Sequence, residues 1–347
     1  MSPKPGTLTE QEIWNQPQAW RWVLGEVPGR LQKVKGALTG GEVVFCGCGS
    51  AFDVALCCAA AFRANGILAR AETSGEIALY DDPVRPWEGR SLVAVSRSGE
   101  TSETIWALKR AREQGGRTLA ITCKAESTLA REAGDLLLLE GCAERSVVTT
   151  KSVTGMILAG HVAAQALSGD PQPRTPFESL PQHCQRILET ASPTVEQAWR
   201  EGFSQCAFLG SGLLWGVASE ARLKMQEMAL MPSESFPVLE FRHGPMAQAA
   251  EGMLVVAMIS DAAREHEVAV LKQLAGFGAT IFAVTEEEDS ELRSVTPFIV
   301  ELNSGLPERV RQPLFLPPAQ LLALHAALSR GLNPDSPPNL SRAVVLQ

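Results

Sequence analysis

The chain has 347 residues, 45% of them apolar and 20% charged. That is enough for two ordinary domains and too apolar for a disordered protein. A net charge of −8 with no Lys/Arg cluster argues against a nucleic-acid grip, and no apolar run approaches the length of a bilayer span. The polar start, MSPKPGTLTEQEIWNQ, has no signal-peptide core. Eight cysteines include no C-x-x-C pair and no partner histidines at ligand spacing. Neither a disulfide framework nor a metal site is expected, and a reduced, cytoplasmic protein is.

In chain order, residues 1–40 read as a helical lead-in, with Trp14, Trp20 and Trp22 as apolar bulk. The run EVVFCG ends in the turn Gly47-Cys48-Gly49-Ser50 and enters an Ala-rich helical pattern. SLVAVS leads to Ser96, and the helix SETIWALKRARE follows, with Ile105, Ala107, Leu108 and Ala111 on one face. RTLAITC and DLLLLE are further strands, and the loop ERSVVTTKS precedes a helix that carries His161. The Pro-rich SGDPQPRTPFESLPQ breaks the chain, which places a connection over residues 170–190.

The pattern then repeats. FLGSGLLWGVA from Phe208 repeats FCGCGSAFDVA from Phe45, about 163 positions on. LVVA, GATIFAVT and FIVELNSG follow as counterparts of LVAV, GRTLAITC and DLLLLEG, and His325 falls near His161. The strand runs are apolar throughout rather than alternating, as in strands covered on both faces. The expected fold is therefore α/β: two tandem, doubly wound parallel sheets in three-layer, flavodoxin-like sandwiches. The domains are expected at residues 41–169 and 191–330, with the tail 331–347 running over the surface.

The stretch AVSRSGETSET carries the first functional signal. Ligands of open parallel sheets bind at the carboxyl ends of the strands. A helix start there offers amides without intrahelical partners and the positive end of a dipole. Ser96, Ser98, Thr101 and Ser102 put four hydroxyls within seven residues, more than a single helix cap needs. Together they read as a neutral cradle for a phosphate, with Gly99 allowing close approach and Arg97 a possible added charge. There is no G-x-x-x-x-G-K-[ST] loop, so a nucleoside triphosphate is a poor candidate.

The second half carries the proton-transfer candidates. Glu220, Lys224 and Glu227 share one face of a helix whose other positions are largely apolar. A solvated ion-pair ladder is the competing reading. EFRHGP holds the one histidine set among loop-forming residues, His243; His161 and His325 read as core or interface, His183 and His266 as exposed.

SRSGETSET resembles the S-x-S-G-x-T signature of sugar isomerase (SIS) domains, and GCGS is similar to their first-strand turn. Residues 41–347 resemble the isomerase half of glucosamine-6-phosphate synthase and its stand-alone relatives, deaminases of glucosamine 6-phosphate and deglycases of fructosamine 6-phosphates. The resemblance implies a sugar 6-phosphate as ligand, no cofactor, and a homodimer. It places the phosphate on Ser50, Ser96, Arg97, Ser98 and Thr101, with Ala51 where the synthase has a second serine. It places the sugar beside Cys48, Gly49, Val147, Thr149, Glu240 and Arg342, and makes residues 331–347 a tail that closes the site. It makes Glu227 the proton carrier between C1 and C2, beside Lys224, and His243 the ring opener, shared across the dimer.

The resemblance also has departures. Arg342 stands where the synthase has a Schiff-base lysine, and a guanidinium does not form that imine. The chain starts without a glutaminase half, residue 2 being serine rather than a catalytic cysteine. The expectation is release of ammonia from glucosamine 6-phosphate. The alternatives are a deglycase, an aldose–ketose phosphate isomerase, and a sensor that binds without turnover. No helix-turn-helix pattern accompanies the last.

Overall fold

The apolar runs become two five-stranded, all-parallel sheets with helices on their faces. The computed structural model describes residues 4–80, 86–169, 174–200 and 202–346. The chain divides into two units: an N-terminal lobe of residues 18–145, 149–179 and 341–347, and a C-terminal lobe of residues 1–17, 146–148 and 180–340.

In the N-terminal lobe the strands are β1 (Val43–Gly47), β2 (Ala69–Thr73), β3 (Ser91–Val95), β4 (Arg117–Thr122) and β5 (Asp135–Leu138). Their order is β2-β1-β3-β4-β5. The C-terminal lobe repeats it with β6 (Gln205–Gly210), β7 (Ser233–Phe236), β8 (Met253–Met258), β9 (Thr280–Thr285) and β10 (Phe298–Glu301), ordered β7-β6-β8-β9-β10. The duplication reaches the level of register. Phe45 stands opposite Val93 as Phe208 stands opposite Val256, and Val95 opposite Ile121 as Met258 opposite Val284. The expected fold class is the observed one.

The helices are α1 (Thr7–Trp14), α2 (Gln16–Val34), α3 (Ser50–Ala64), α4 (Ser74–Leu79), α5 (Ser102–Glu113), α6 (Thr128–Glu132) and α7 (Lys151–Leu167). After them come α8 (Leu180–Trp199), α9 (Trp215–Ala229), α10 (Arg264–Gly276), α11 (Ser290–Val295), α12 (Glu308–Arg311) and α13 (Leu316–Ser329). The stretch SETIWALKRARE forms α5, and Ile105, Leu108 and Ala111 pack on Val44, Leu92, Ala94 and Ala120 of the sheet. In the C-terminal lobe Val268, Leu271 and Leu274 of α10 pack likewise on Leu209, Val255, Ala257 and Ile281. Each such buried aliphatic side chain stabilises its lobe by roughly 1.5–3 kcal/mol.

Several elements depart from the expected outline. The edge strands β2 and β7, ARAET and SESF, are too polar to read as strands; after a buried first residue, Ala69 and Ser233, their side chains are half-buried or exposed. Of the connection expected at residues 170–190, residues from Leu180 onward form α8, while 170–173 lie outside the described residues. His161 is a buried core histidine, set edge-on to Phe177 at 6.0 Å. His183 is half-buried, not exposed as read from the sequence, while His266 is exposed. No helix among the described residues is long and apolar enough to cross a membrane.

The lead-in also splits. Residues through Pro17 belong with the C-terminal lobe, and α2 from Gln18 onward with the N-terminal one, where Trp20 Nε1 donates to Thr154 Oγ1 at 3.0 Å. Gly6, ahead of α1, has no side chain to cap it. The carboxylate of Asp335 does so from the far end of the chain, accepting from Leu8 N (3.2 Å), Thr9 N (2.8 Å) and Thr9 Oγ1 (2.8 Å). Asp335→Ala removes that cap, with an expected loss of about 1–2 kcal/mol in urea unfolding; an unchanged midpoint would refute the assignment.

Candidate functional site

The N-terminal lobe presents a loop at the carboxyl end of its central strands. β3 ends at Val95, and a last ladder bond, Ser96 N to Ile121 O at 3.0 Å, aims the chain out of the sheet. Ser96 Oγ accepts from Gly99 N at 3.0 Å, Ser98 Oγ accepts from Glu100 N at 3.2 Å, and Ser96 Oγ lies 3.4 Å from Thr101 Oγ1. Thr101 sits at the N-cap of α5, yet its side chain makes no capping bond. A hydroxyl that accepts a bond still has its proton to give, so Ser96 and Ser98 remain donors after shaping the loop.

Gly99 is required where it stands. Its φ is +67°, and a Cβ there would meet Ser127 Oγ at 2.1 Å. Ser127 is itself the cap of α6, accepting from Ala130 N. β1 runs beside β3, so the turn Cys48-Gly49-Ser50 leaves the sheet next to this loop. Gly49 takes a positive φ of 56°, Ser50 opens α3, and Cys48 Sγ lies 3.8 Å from Thr104 Oγ1. Cys48 is half-buried and the other seven cysteines are buried and unbridged. Burial pushes the thiols of Cys46, Cys58, Cys142 and Cys206 up to about 12, which leaves them unreactive near neutrality.

Arg97 has a different place from the one its sequence position suggests. Its guanidinium lies 3.4 Å from the carboxylate of Glu144 and 3.4 Å from the carbonyl of Arg342. The Glu144 side chain is fully buried, and it also takes Thr150 N, Thr150 Oγ1 and Ser152 Oγ at the start of α7. One carboxylate thus caps α7 and balances the arginine, so the hydroxyl loop is close to electrically neutral. Sequence reasoning missed Glu144; its signal was an acid six residues ahead of a Thr/Ser-rich helix start. The tail, expected from the resemblance to close the site, meets the start of α5 beside this loop: Ser102 N donates to Val344 O at 3.2 Å, and Leu346 N to Ser102 Oγ at 2.9 Å. Arg342 is exposed. Thr149 is half-buried in this lobe, whereas Val147, also half-buried, belongs with the C-terminal lobe and donates to Asp335 O at 3.4 Å.

In the C-terminal lobe, α9 brings Glu220, Lys224 and Glu227 together as the spacing predicts. Lys224 is fully buried, with Nζ 3.2 Å from Glu220 and in a short contact with Glu227. The Glu220 side chain is fully buried, and that of Glu227 is 20% exposed, so Glu227 is the member open to a ligand. This is not a solvated ladder. Burial lowers the Lys224 pKa, but the two carboxylates outweigh it and leave it raised. Glu240 opens a short 3₁₀ turn, Glu240–Arg242, that ends at His243, whose N–H donates to Glu240 O at 2.9 Å. Both side chains are exposed, and among the described residues none gives His243 a side-chain hydrogen bond or ion pair. The turn is anchored through Val238 N, which donates to Ser211 Oγ at 3.0 Å. No group of three or more metal-ligating side chains exists among the described residues.

Comparison with known proteins matches SIS domains to residues 40–166 and 204–330, one on each lobe. The chain belongs to the SIS domain family. Among curated SIS proteins, it is 31% identical over 366 residues to a glutamine–fructose-6-phosphate aminotransferase (isomerizing) of Symbiobacterium thermophilum, covering 97% of this chain and 58% of that protein. The chain spans about half the length of the curated relatives it matches. Among solved SIS structures, glucosamine-6-phosphate deaminase from Thermotoga maritima is 30% identical with a TM-score of 0.80, over 98% of this chain and 100% of that one. Tagatose-6-phosphate ketose/aldose isomerase from Escherichia coli has a TM-score of 0.86 at 22% identity, over 99% and 98%, and so shares the fold.

Lys224 offers a direct test of the α9 cluster. Lys224→Met removes the cation that two carboxylates share, with an expected cost of about 3–5 kcal/mol. Because the folded pKa lies above 10.5, the lysine's contribution is complete below that value and is lost only as pH rises through the folded one. The wild-type-minus-variant difference in urea stability should therefore be flat from about pH 6 to 9; a difference that falls across that window would refute the pairing.

Proposed function

We propose that the protein is a phosphosugar isomerase that deaminates an amino-sugar 6-phosphate, converting glucosamine 6-phosphate and water into fructose 6-phosphate and ammonia. The observation that carries this reading is Glu227: a partly open carboxylate on an otherwise buried helix face, fixed by a buried lysine. Support also comes from the near-neutral hydroxyl loop of the N-terminal lobe, and from 30% identity over the whole of a deaminase chain.

In this mechanism the hydroxyls of Ser50, Ser96, Ser98 and Thr101 hold the phosphate, with the dipole of α5 behind them. His243 opens the ring by moving the O1 proton to the ring oxygen. Glu227 then removes the C2 proton, the C1–C2 double bond forms, and the carbonyl oxygen takes up a proton. C1 recovers a proton from Glu227, the nitrogen becomes a C2 iminium, water adds at C2 and ammonia leaves. Lys224 is a positioning residue that holds Glu227. Arg97, tied to Glu144, shapes the loop rather than meeting the phosphate alone, and Arg342 does not form a Schiff base. Cys48, Gly49, Val147, Thr149 and Glu240 border the sugar. The active form is a homodimer in which His243 of one subunit serves the site of the other; its exposed turn is suited to that role.

The test is a panel of 6-phosphosugars scored for ammonia, for free amines and for ketose. Glucosamine 6-phosphate should release ammonia and fructose 6-phosphate together, and Glu227→Gln should lower kcat by about 10²–10⁴-fold with little change in KM. Isomerisation without ammonia would assign a plain aldose–ketose isomerase, amine release a deglycase, and binding without turnover a sensor. The dimer is tested by mixing. Glu227→Gln and His243→Asn, each inactive alone, should regain activity when unfolded and refolded together; continued inactivity would sink the shared-site arrangement.

A further inference from the structure

The duplication raises the question of what became of the phosphate loop in the C-terminal lobe. The two loops are equivalent by their ladder bonds: Ser96 N donates to Ile121 O and Ile259 N to Val284 O, both at 3.0 Å. α5 follows the first loop and α10 the second. The first carries Ser96, Ser98 and Thr101. The second, Ile259-Ser260-Asp261-Ala262-Ala263, carries one hydroxyl.

A carboxylate stands in its place. Glu267, in the first turn of α10, folds back on its own loop, and Oε2 accepts from Ser260 N at 2.7 Å. The residue is 1% exposed, and Oε1 is buried with no hydrogen-bond partner. The hydroxyls of Ser260 and Ser211 favour its ionised form. Ser211 belongs to the turn after β6, the counterpart of the Cys48–Ser50 turn after β1, and β6 runs beside β8 as β1 runs beside β3. Glu267 therefore bonds the third-strand loop, and the hydroxyl of the first-strand turn bears on its charge; these are the two features that frame the phosphate loop of the other lobe. Burial, reinforced by Glu308, outweighs these donors and raises its pKa. The group is held there at a cost, as a plug would be. The ion pairs of the nearby arginines go elsewhere: Arg264 pairs with Asp289, and Arg311 with Asp261 and Glu286.

We propose that Glu267 is a built-in anion that fills the C-terminal lobe's counterpart of the phosphate loop, and that removing it opens a site for a small oxyanion. The ligand class follows from the donors: one loop amide and two serine hydroxyls suit formate, acetate or inorganic phosphate. The inference rests on reading the N-terminal loop as an anion site.

The experiment is chemical rescue. Thermal unfolding of wild type, Glu267→Ala and Glu267→Ser is followed in sodium formate and in sodium phosphate, each against chloride at equal ionic strength. Both variants should melt below wild type in chloride, and tens of millimolar formate should raise their Tm by at least about 3 °C while leaving wild type unchanged. A variant that folds only when formate or phosphate is present is the same result in stronger form. Variants that respond to formate as wild type does, or that fail to fold with or without the anion, overturn the proposal. The wild type's own response to phosphate reads the N-terminal loop separately. If wild type ignores phosphate while the variants answer to formate, the functional reading fails and Glu267 keeps its role.

Discussion

A helix that starts at the end of a covered parallel strand brings amides without intrahelical partners to a place where water is scarce. Both lobes have to answer that constraint at the same point, the loop between the third strand and its helix. The N-terminal lobe answers with small hydroxyls, two of which bond the loop's own amides and keep their protons available. The C-terminal lobe answers with the Glu267 carboxylate. One backbone solution, copied along the chain, is thus met by hydroxyls in one lobe and by a carboxylate in the other.

The second organising feature is charge compensation inside each lobe. Arg97 faces Glu144, so the hydroxyl loop carries little net charge and offers hydrogen-bond donors rather than a cation. Lys224 is buried between Glu220 and Glu227, and only Glu227 reaches the surface. Burying a lysine costs solvation unless carboxylates stand close, and this lysine has two. The arrangement fixes the orientation of the partly exposed Glu227 carboxylate. By contrast, Glu240 and His243 project from a short turn held by backbone bonds.

Much of this was legible in the sequence, and the reasons are specific. VVFC and LVAV, inside EVVFCG and SLVAVS, are apolar without alternation because helices cover both faces of their strands, and that pattern survives without any knowledge of neighbours. SETIWALKRARE has a hydroxyl at its start and apolar residues at helical spacing, so α5 could be read to its ends. The edge strands ARAET and SESF could not be read, because an open face tolerates Arg70, Glu72 and Glu234. Glu144 was not singled out, because it stands in a loop with no pattern of its own. Its burial comes from α7 and Arg97 converging on it, and no local pattern encodes that convergence.

What the sequence determined by itself is whatever depends on near neighbours along the chain: strand and helix periodicity and the repeat that duplicates it, the crowd of hydroxyls at a helix start, and the i, i+4, i+7 spacing of Glu220, Lys224 and Glu227. What only the tertiary structure decided is which of those groups are taken. Arg97 is spent on Glu144, α1 is capped by Asp335 from the other end of the chain, and Glu267 is turned inward onto Ser260. The physical reason is that burial and the pairing of charges are set by residues distant in sequence, and a side chain's chemistry is fixed only when its surroundings are.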